Sequence, residues 1–181
     1  MAAAIRPLTW DDIKEWPEYH GRTEIVNGEL VMSPMPSLHH QDICMRVGTA
    51  VLAFVQQHGL GKFYLLPVHV ILSERVHYEP DLCFISKERL HILEDPVVKG
   101  PHDLIIEVIS ESNRTHDTVV KFRDYERFGV REYWLVDPRE EHIGSYALEA
   151  GHYVLLGISG RGDTIHSRLF EGLDLDPASI V

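Results

Sequence analysis

The sequence has few cysteines and is poor in basic residues. Its two cysteines, Cys44 and Cys83, lack CxxC spacing, which argues against a disulfide framework or a cysteine-based zinc site and favours a reducing, cytoplasmic location. Lys and Arg number 17 against 28 Asp and Glu, a formal charge of −11. This charge counts against tight, non-specific binding of nucleic acid, which depends on cations at the phosphates. A local basic groove, or bound metal ions that supply positive charge, stays compatible with it.

Long apolar runs and the common hydrolase motifs are also missing. No run approaches the ~18 apolar residues of a membrane span, and the opening MAAAIRPLTW lacks the apolar core of a signal peptide. We therefore expect no membrane association and no export. There is no GxSxG elbow, which disfavours a Ser/His hydrolase, and the 12 histidines include no HExxH. The length of 181 residues, 44% of them hydrophobic, predicts a single domain over residues 1–181.

Local patterns predict the elements of the N-terminal half. In TEIVNGELVMS, alternating residues flank Asn27-Gly28, a pair suited to the positive φ angles of a two-residue turn, which predicts a β-hairpin. Apolar residues recur at helical spacing from Ser37 to His58, with Gly59 as the expected end, which predicts a long core helix. KFYLLPVHVILS and DLCFIS follow as predicted strands, the first with an edge position or a bulge at Pro67.

The C-terminal half predicts a strand, a crossover helix and further strands. DLIIEVIS (103–110) is typical of a strand covered on both faces. A helix from about Thr115 to Phe128 and the strand EYWLVD (132–137) come next, an order that favours a right-handed parallel unit. IGSYAL and HYVLLG predict a C-terminal hairpin. Together these elements predict an α/β or α+β fold, a mixed β-sheet with helices packed on it.

Glu107 is a carboxylate within the apolar run DLIIEVIS. A buried carboxylate without partners costs several kcal/mol or takes up a proton, so we expect a cation, a metal or hydrogen-bond donors beside it. Asp81, in YEPDLCF, enters the preceding predicted strand. If the two strands are neighbours, the two carboxylates can share one hard divalent cation. Alternatively, Glu107 is a satisfied structural glutamate and Asp81 is part of a turn.

The helix after this strand carries Asp117, Lys121 and Tyr125 at i, i+4 and i+8, on one stripe. One interpretation is an exposed Asp–Lys pair of about 0.3–0.5 kcal/mol. The other is that the helix packs across the sheet and directs Lys121 toward the carboxylates. There the ammonium could stabilise Glu107, orient an attacking water or balance phosphate charge.

Further segments accompany these residues: PD at 80–81, EVIS at 107–110, GVREYWLVDP at 129–138, TEIVNGEL with Glu24, MSPMPSLHH with His40, and the ending EGLDLDPASI. Together they resemble the Uma family of restriction endonucleases, within the PD-(D/E)XK nuclease superfamily. The resemblance covers nearly the whole chain, and the combination of segments is specific although each segment alone is weak.

The resemblance implies a restriction-endonuclease-like core in which Asp81 and Glu107 hold Mg²⁺ or Mn²⁺, with Glu24 as a third acidic group nearby. The implied reaction is metal-assisted hydrolysis of phosphodiester bonds, in DNA. The superfamily pattern has a lysine two residues after the glutamate, where this chain has Ile109. Lys121 is the expected replacement, supplied from the helix. Two roles stay open for His40: a contact to phosphate or to the outer shell of the metal, or a structural role.

Two other functions stay open from the sequence. A nuclease-like module without catalysis, which binds protein or nucleic acid or serves as a subunit of a larger system, fits the net charge and the missing lysine. A metal-dependent hydrolase of small phosphate esters would tolerate an acidic surface. For a nuclease that cuts both strands of a duplex we expect a homodimer, because two sites are needed.

Overall fold

The structure is a computed structural model that describes residues 6–16, 21–65, 67–111 and 113–180. Residues 1–5, half of the segment inspected for a signal peptide, lie outside the described residues. Within the described ranges, no helix is long and apolar enough to cross a membrane.

The described residues form three α-helices, one of them long, and many strands. The helices are α1 (Trp10–Ile13), α2 (Leu38–His58) and α3 (Phe122–Phe128); a π-type segment, His116–Lys121, leads into α3, and 3₁₀ turns occupy Lys87–Ile92 and Pro177–Ser179. The strands are β1 (Gly21–Val26), β2 (Glu29–Pro34), β3 (Gly61–Tyr64), β4 (His69–Ser73), β5 (Val76–Tyr78), β6 (Leu82–Ser86), β7 (Leu93–Glu94), β8 (Val97–Lys99), β9 (Leu104–Val108), β10 (Glu132–Asp137), β11 (His142–Glu149) and β12 (His152–Ser159).

Among the described residues the strands form two six-stranded mixed sheets. One has the order β2-β1-β5-β4-β8-β7 and the other β12-β11-β10-β9-β6-β3. Each sheet contains one parallel pair, β4 with β8 and β9 with β10, among antiparallel pairs. The mixed α/β class with flanking helices is therefore confirmed, with the strands divided between two sheets.

Both predicted hairpins are present. Asn27 and Gly28 have φ angles of 52° and 86°, so the two-residue turn joins β1 to β2 with Val26 opposite Glu29. β11 pairs with β12 along nearly its full length, with one register shift after Ser145. Because the turn fixes the register of β1, it also fixes which of its side chains face the second sheet.

Helix α2 covers one face of the second sheet. Ser37 caps its start by accepting a hydrogen bond from the backbone N–H of His40 at 3.2 Å, and Gly59 ends it with a φ of 58°. Its apolar stripe, which includes Val47 and Val51, packs against alternate residues of the sheet strands such as Leu104. This packing places the first turn of α2 over the ends of β6 and β9.

Helix α3 and the π-type segment cover the opposite face. Ile105 and Ile109 of the β9 region pack with Tyr125 on this side, and Glu107 shares the same face by alternation. Strand β9 therefore lies between two apolar layers, as its composition predicts. Strands β9 and β10, which this helix connects, pair in parallel, also as predicted.

The segment KFYLLPVHVILS is not one strand. It forms β3 in the second sheet and β4 in the first, because the chain leaves one sheet before Pro67 and enters the other after it. The short strands β5, β7 and β8 were not predicted from the sequence. With two or three residues each, they are too short for an alternation pattern to be recognised.

Candidate functional site

Asp81 and Glu107 lie side by side on neighbouring strands. β6 and β9 are antiparallel with Leu82 opposite Ile106, so Asp81, just before β6, faces Glu107. The Asp81 Oδ2 atom also accepts a hydrogen bond from the backbone N–H of Val108 at 2.7 Å. Asp81 is 3% and Glu107 1% exposed. The two carboxylates are thus buried and held by the strand register itself.

Arg22 contacts both carboxylates. Its Nη2 donates to the Oδ1 of Asp81, and its Nη1 lies 3.9 Å from the Oε2 of Glu107. Burial lowers the pKa of Arg22, but the two carboxylates more than offset this and hold it above its ordinary value. The Arg22 Nε atom is buried and has no hydrogen-bond partner. One oxygen of the Asp81 carboxylate and one of the Glu107 carboxylate therefore face the same guanidinium group.

Lys121 lies among three carboxylates. Its Nζ is 3.0 Å from the Oε1 of Glu107, 3.1 Å from the Oε1 of Glu24 and 3.5 Å from the Oδ1 of Asp117. The Tyr125 hydroxyl donates to the same Oε1 of Glu107 at 3.0 Å. The Lys121 side chain is only 3% exposed, so its charge is matched entirely within the protein.

Glu24 is held from several directions. Besides Lys121, His116 Nε2 lies 2.8 Å from its Oε2, and the backbone N–H of Glu79 donates to its Oε1 at 3.1 Å. Burial raises the pKa of Glu24, but Lys121 and His116 outweigh this and lower it to about 2. Glu24 is consequently ionised at neutral pH, in contact with Lys121.

His40, in the first turn of α2, contacts Asp81 from the other side. Its Nε2 lies 3.2 Å from the Oδ2 of Asp81 and 3.1 Å from the carbonyl oxygen of Val108. Since a carbonyl only accepts, Nε2 carries the proton. The Nδ1 atom of His40 lies 3.5 Å from the thiol of Cys44, which can donate to it.

The two adjacent carboxylates have pKa values displaced in opposite directions. Burial raises the pKa of Glu107 to about 8; Asp81 and Asp117 add to this effect, and Lys121 and Arg22 oppose it. Burial also raises the pKa of Asp81, but His40 and Arg22 lower it well below its ordinary value. Such opposed pKa values in neighbouring acids are typical of sites with acid–base or metal chemistry.

A cleft of about 620 Å³ opens beside these groups. Arg22, His40 and Asp117 are among its lining residues, together with the segment 33–37 that joins β2 to α2. Asp81 and Glu107 are buried behind Arg22. The cleft therefore gives solvent a route to Arg22 and His40, both of which contact Asp81.

All seven residues selected from the sequence meet in this one cluster: Glu24, His40, Asp81, Glu107, Asp117, Lys121 and Tyr125. Arg22 and His116 were missed. Arg22 is two residues before Glu24 on β1 and shares its face by alternation, so the assignment of Glu24 to the site could have included it. His116 directly precedes Asp117 but carries no distinctive spacing.

Comparisons with known proteins identify the family of the chain and agree with its fold. A family model described as "Putative restriction endonuclease", Uma2, matches residues 10–178, and the chain belongs to this family. A crystal structure titled as that of a "putative nuclease belonging to DUF820" from Anabaena variabilis superposes with a TM-score of 0.79, at 18% identity, over 96% of this chain and 97% of that one. No match was found among curated proteins.

Proposed function

We propose that the protein is a metal-dependent endonuclease that hydrolyses phosphodiester bonds in DNA, with Mg²⁺ or Mn²⁺ as cofactor. The observation that carries the proposal is the pair of buried carboxylates, Asp81 and Glu107, on adjacent strands. Membership of a family of restriction-endonuclease-like nucleases supports it. We further propose that the chain is a single domain with a cytoplasmic location. We also propose a homodimer with two such sites, and sedimentation of the purified protein tests this oligomeric state.

The donor set fits a hard divalent cation. The Oδ1 of Asp81 and the Oε2 of Glu107 both face the Arg22 guanidinium, a position that already takes positive charge. Carboxylate oxygens are the ligands that Mg²⁺ and Mn²⁺ prefer. Asp81 and Glu107 would hold the ion; when bound, it polarises a phosphate oxygen and lowers the pKa of a bound water.

The surrounding side chains keep the two carboxylates in place. Val108 N–H and His40 occupy the Oδ2 of Asp81, and Lys121 and Tyr125 occupy the Oε1 of Glu107. In each carboxylate the second oxygen is left for the cation. Lys121 thus orients Glu107 and opposes the rise in its pKa that burial causes, the first of the roles considered from the sequence.

Two residues of the cleft are suited to contact the substrate. Arg22 lines the cleft, and its guanidinium can bind a phosphate oxygen once Asp81 and Glu107 have another cation as partner. Asp117 also lines the cleft, and burial raises its pKa, which makes it a better proton acceptor for an attacking water than an ordinary aspartate.

Thermal unfolding with and without Mg²⁺ or Mn²⁺ tests the metal part of the proposal. An ion that binds only the folded protein, at ten times its dissociation constant, adds about 1.4 kcal/mol, or about 3–5 °C in Tm for a chain of this size. We expect this shift in the wild type and not in Asp81→Asn. No shift in the wild type at millimolar metal would favour the alternative of a non-catalytic nuclease-like module.

A further inference from the structure

Three potential metal ligands meet on the first sheet, outside the site described above. His69 begins β4, His77 lies in β5, and Glu79 directly follows β5. β4 and β5 are antiparallel with Val70 opposite Tyr78, so His69 lies opposite Glu79. His77 and Glu79 are two residues apart and share a face of the sheet.

The separations of the ligand atoms match those around a tetrahedral zinc ion. The Nδ1 of His69 is 3.2 Å from the Nε2 of His77 and 3.5 Å from the Oε1 of Glu79, and all three atoms lie within 4.8 Å of one another. Ligands about 2.0–2.2 Å from a zinc ion are about 3.3–3.6 Å apart at tetrahedral angles. Two of the contacts are therefore already close to the required geometry.

The protons of the two rings can be arranged in two ways. If His69 Nδ1 carries a proton, it donates to His77 Nε2, and the buried Nδ1 of His77 carries the N–H of that ring. If His77 Nε2 is the donor instead, the lone pair on His69 Nδ1 accepts it and also faces the carboxylate of Glu79. The first arrangement already has the tautomer of His77 that ligation through Nε2 requires, so a cation can replace the shared proton without any change in that ring.

The surroundings order the two imidazoles and leave access from solvent. His77 is 1% exposed, so its ring is enclosed by the protein. The Trp10 ring packs on both histidines, with centroids 4.6 and 4.7 Å away. The side chain of His69 is 39% exposed, so an ion can enter from that side.

We propose that His69, His77 and Glu79 bind a zinc ion. Two imidazole nitrogens and one carboxylate oxygen are a ligand set that suits Zn²⁺ better than Mg²⁺. Glu79 is held for this role by the backbone N–H of Thr23, which donates to its Oε1 at 3.3 Å. The backbone N–H of Glu79 itself donates to Glu24, so the zinc site adjoins the candidate nuclease site and steadies one of its acidic groups.

Zinc binding to the purified full chain tests this directly. We expect one tightly bound zinc per wild-type chain by elemental analysis after dialysis. In competition with a fluorescent chelator, His69→Gln should weaken binding at least about 100-fold, because it removes a ligand. Co²⁺ should give tetrahedral absorption bands with the wild type and lose them in this variant. Circular dichroism checks folding, and Glu79→Gln serves as a second ligand variant.

Two controls make the result specific. His91→Gln changes an exposed histidine and should bind zinc as the wild type does. Cys44→Ser removes the thiol of His40–Cys44–Asp81, a second trio of ligand side chains that lie close together among the described residues, and should also retain the zinc. Absence of tight zinc in the wild type, or its loss in Cys44→Ser with retention in His69→Gln, would overturn the proposal. Because metal content is read out without any substrate, the result is independent of nuclease activity.

Discussion

At the scale of single residues, the buried charges of the site stabilise one another and cannot be removed singly. Lys121 contacts one carboxylate from each of Glu107, Glu24 and Asp117, and its side chain is almost completely shielded from water. Replacing a whole buried cluster of this kind by apolar side chains often changes the stability of a protein little. Removing one member, by contrast, leaves a buried charge without a partner.

We predict that Lys121→Met lowers the free energy of unfolding by about 3–5 kcal/mol at pH 8. The loss should shrink as the pH is lowered toward 5, because the three carboxylates then take up protons instead of repelling one another. Urea denaturation at both pH values measures this. Lys62→Met, at an exposed position of β3, is the matched control and should be near neutral. An equally small effect at position 121 would contradict the buried cluster.

Glu107 should make stability depend on pH. Its pKa is raised from 4.5 to about 8, so between these values the folded protein keeps a proton that the unfolded chain has lost. The stabilisation from this group is complete below about pH 4.5 and is lost as the pH rises through about 8. Glu24, with its pKa lowered to about 2, acts only at lower pH.

We therefore predict that the free energy of unfolding falls from pH 5 to pH 8 in the wild type and falls less in Glu107→Gln. Urea denaturation across this range is the measurement. Glu29→Gln, the same change at an exposed glutamate of β2, should keep the wild-type slope. Parallel profiles for Glu107→Gln and the wild type would show that Glu107 titrates at its ordinary pKa.

At the scale of elements, helix α3 is as important as the strands because it carries Tyr125 into contact with Glu107. The helix ends at Gly129, which has a φ of 91° and donates to the carbonyl of Tyr125 at 3.1 Å. A Cβ at this position would meet no atom within 4 Å. Any cost of substitution is therefore conformational.

We predict that Gly129→Ala destabilises the protein by about 1–2 kcal/mol, since an L side chain is strained in the left-handed region. Gly129→Asn should cost less, because asparagine tolerates this conformation. Chemical denaturation of the two variants decides the matter. If alanine and asparagine cost the same, the left-handed cap is not what limits the end of α3.

The elements that could be predicted from the sequence are those with local signals. The turn at Asn27-Gly28 and the helix ended by Gly59 each depend on a few adjacent residues, and the apolar run around Glu107 shows that the strand is covered on both faces. The division of 62–73 between two sheets depends on partners far along the chain. No local pattern encodes it.

The same distinction holds for the site. Glu107 stands out because a charge interrupts an apolar strand. Asp81 was selected from its place at the entry to the preceding strand and Lys121 from the helix stripe, and the family resemblance implied their roles. Arg22 was missed because its contacts with Asp81 and Glu107 join residues 59 and 85 positions apart, and an arginine in a strand is unremarkable until the sheets are packed. The His69–His77–Glu79 group depends in the same way on the register of β4 and β5.

At the scale of the whole molecule, the net charge of −11 sets the conditions under which DNA can be bound. A chain with 17 basic and 28 acidic residues has little general attraction for phosphates. Under the proposed function, contact with DNA depends on local positive charge, from Arg22 at the cleft and from the divalent ions that we propose. Cleavage should accordingly require the metal at every salt concentration.

The central claim is that the protein cleaves DNA with a metal held by Asp81 and Glu107. The most direct test is cleavage of supercoiled, linear duplex, single-stranded and branched DNA with Mg²⁺ or Mn²⁺ by the wild type, Glu107→Gln and Glu29→Gln, purified identically. We predict metal-dependent cleavage by the wild type and Glu29→Gln and its loss in Glu107→Gln. Equal cleavage by all three proteins, or cleavage by none, would contradict the account.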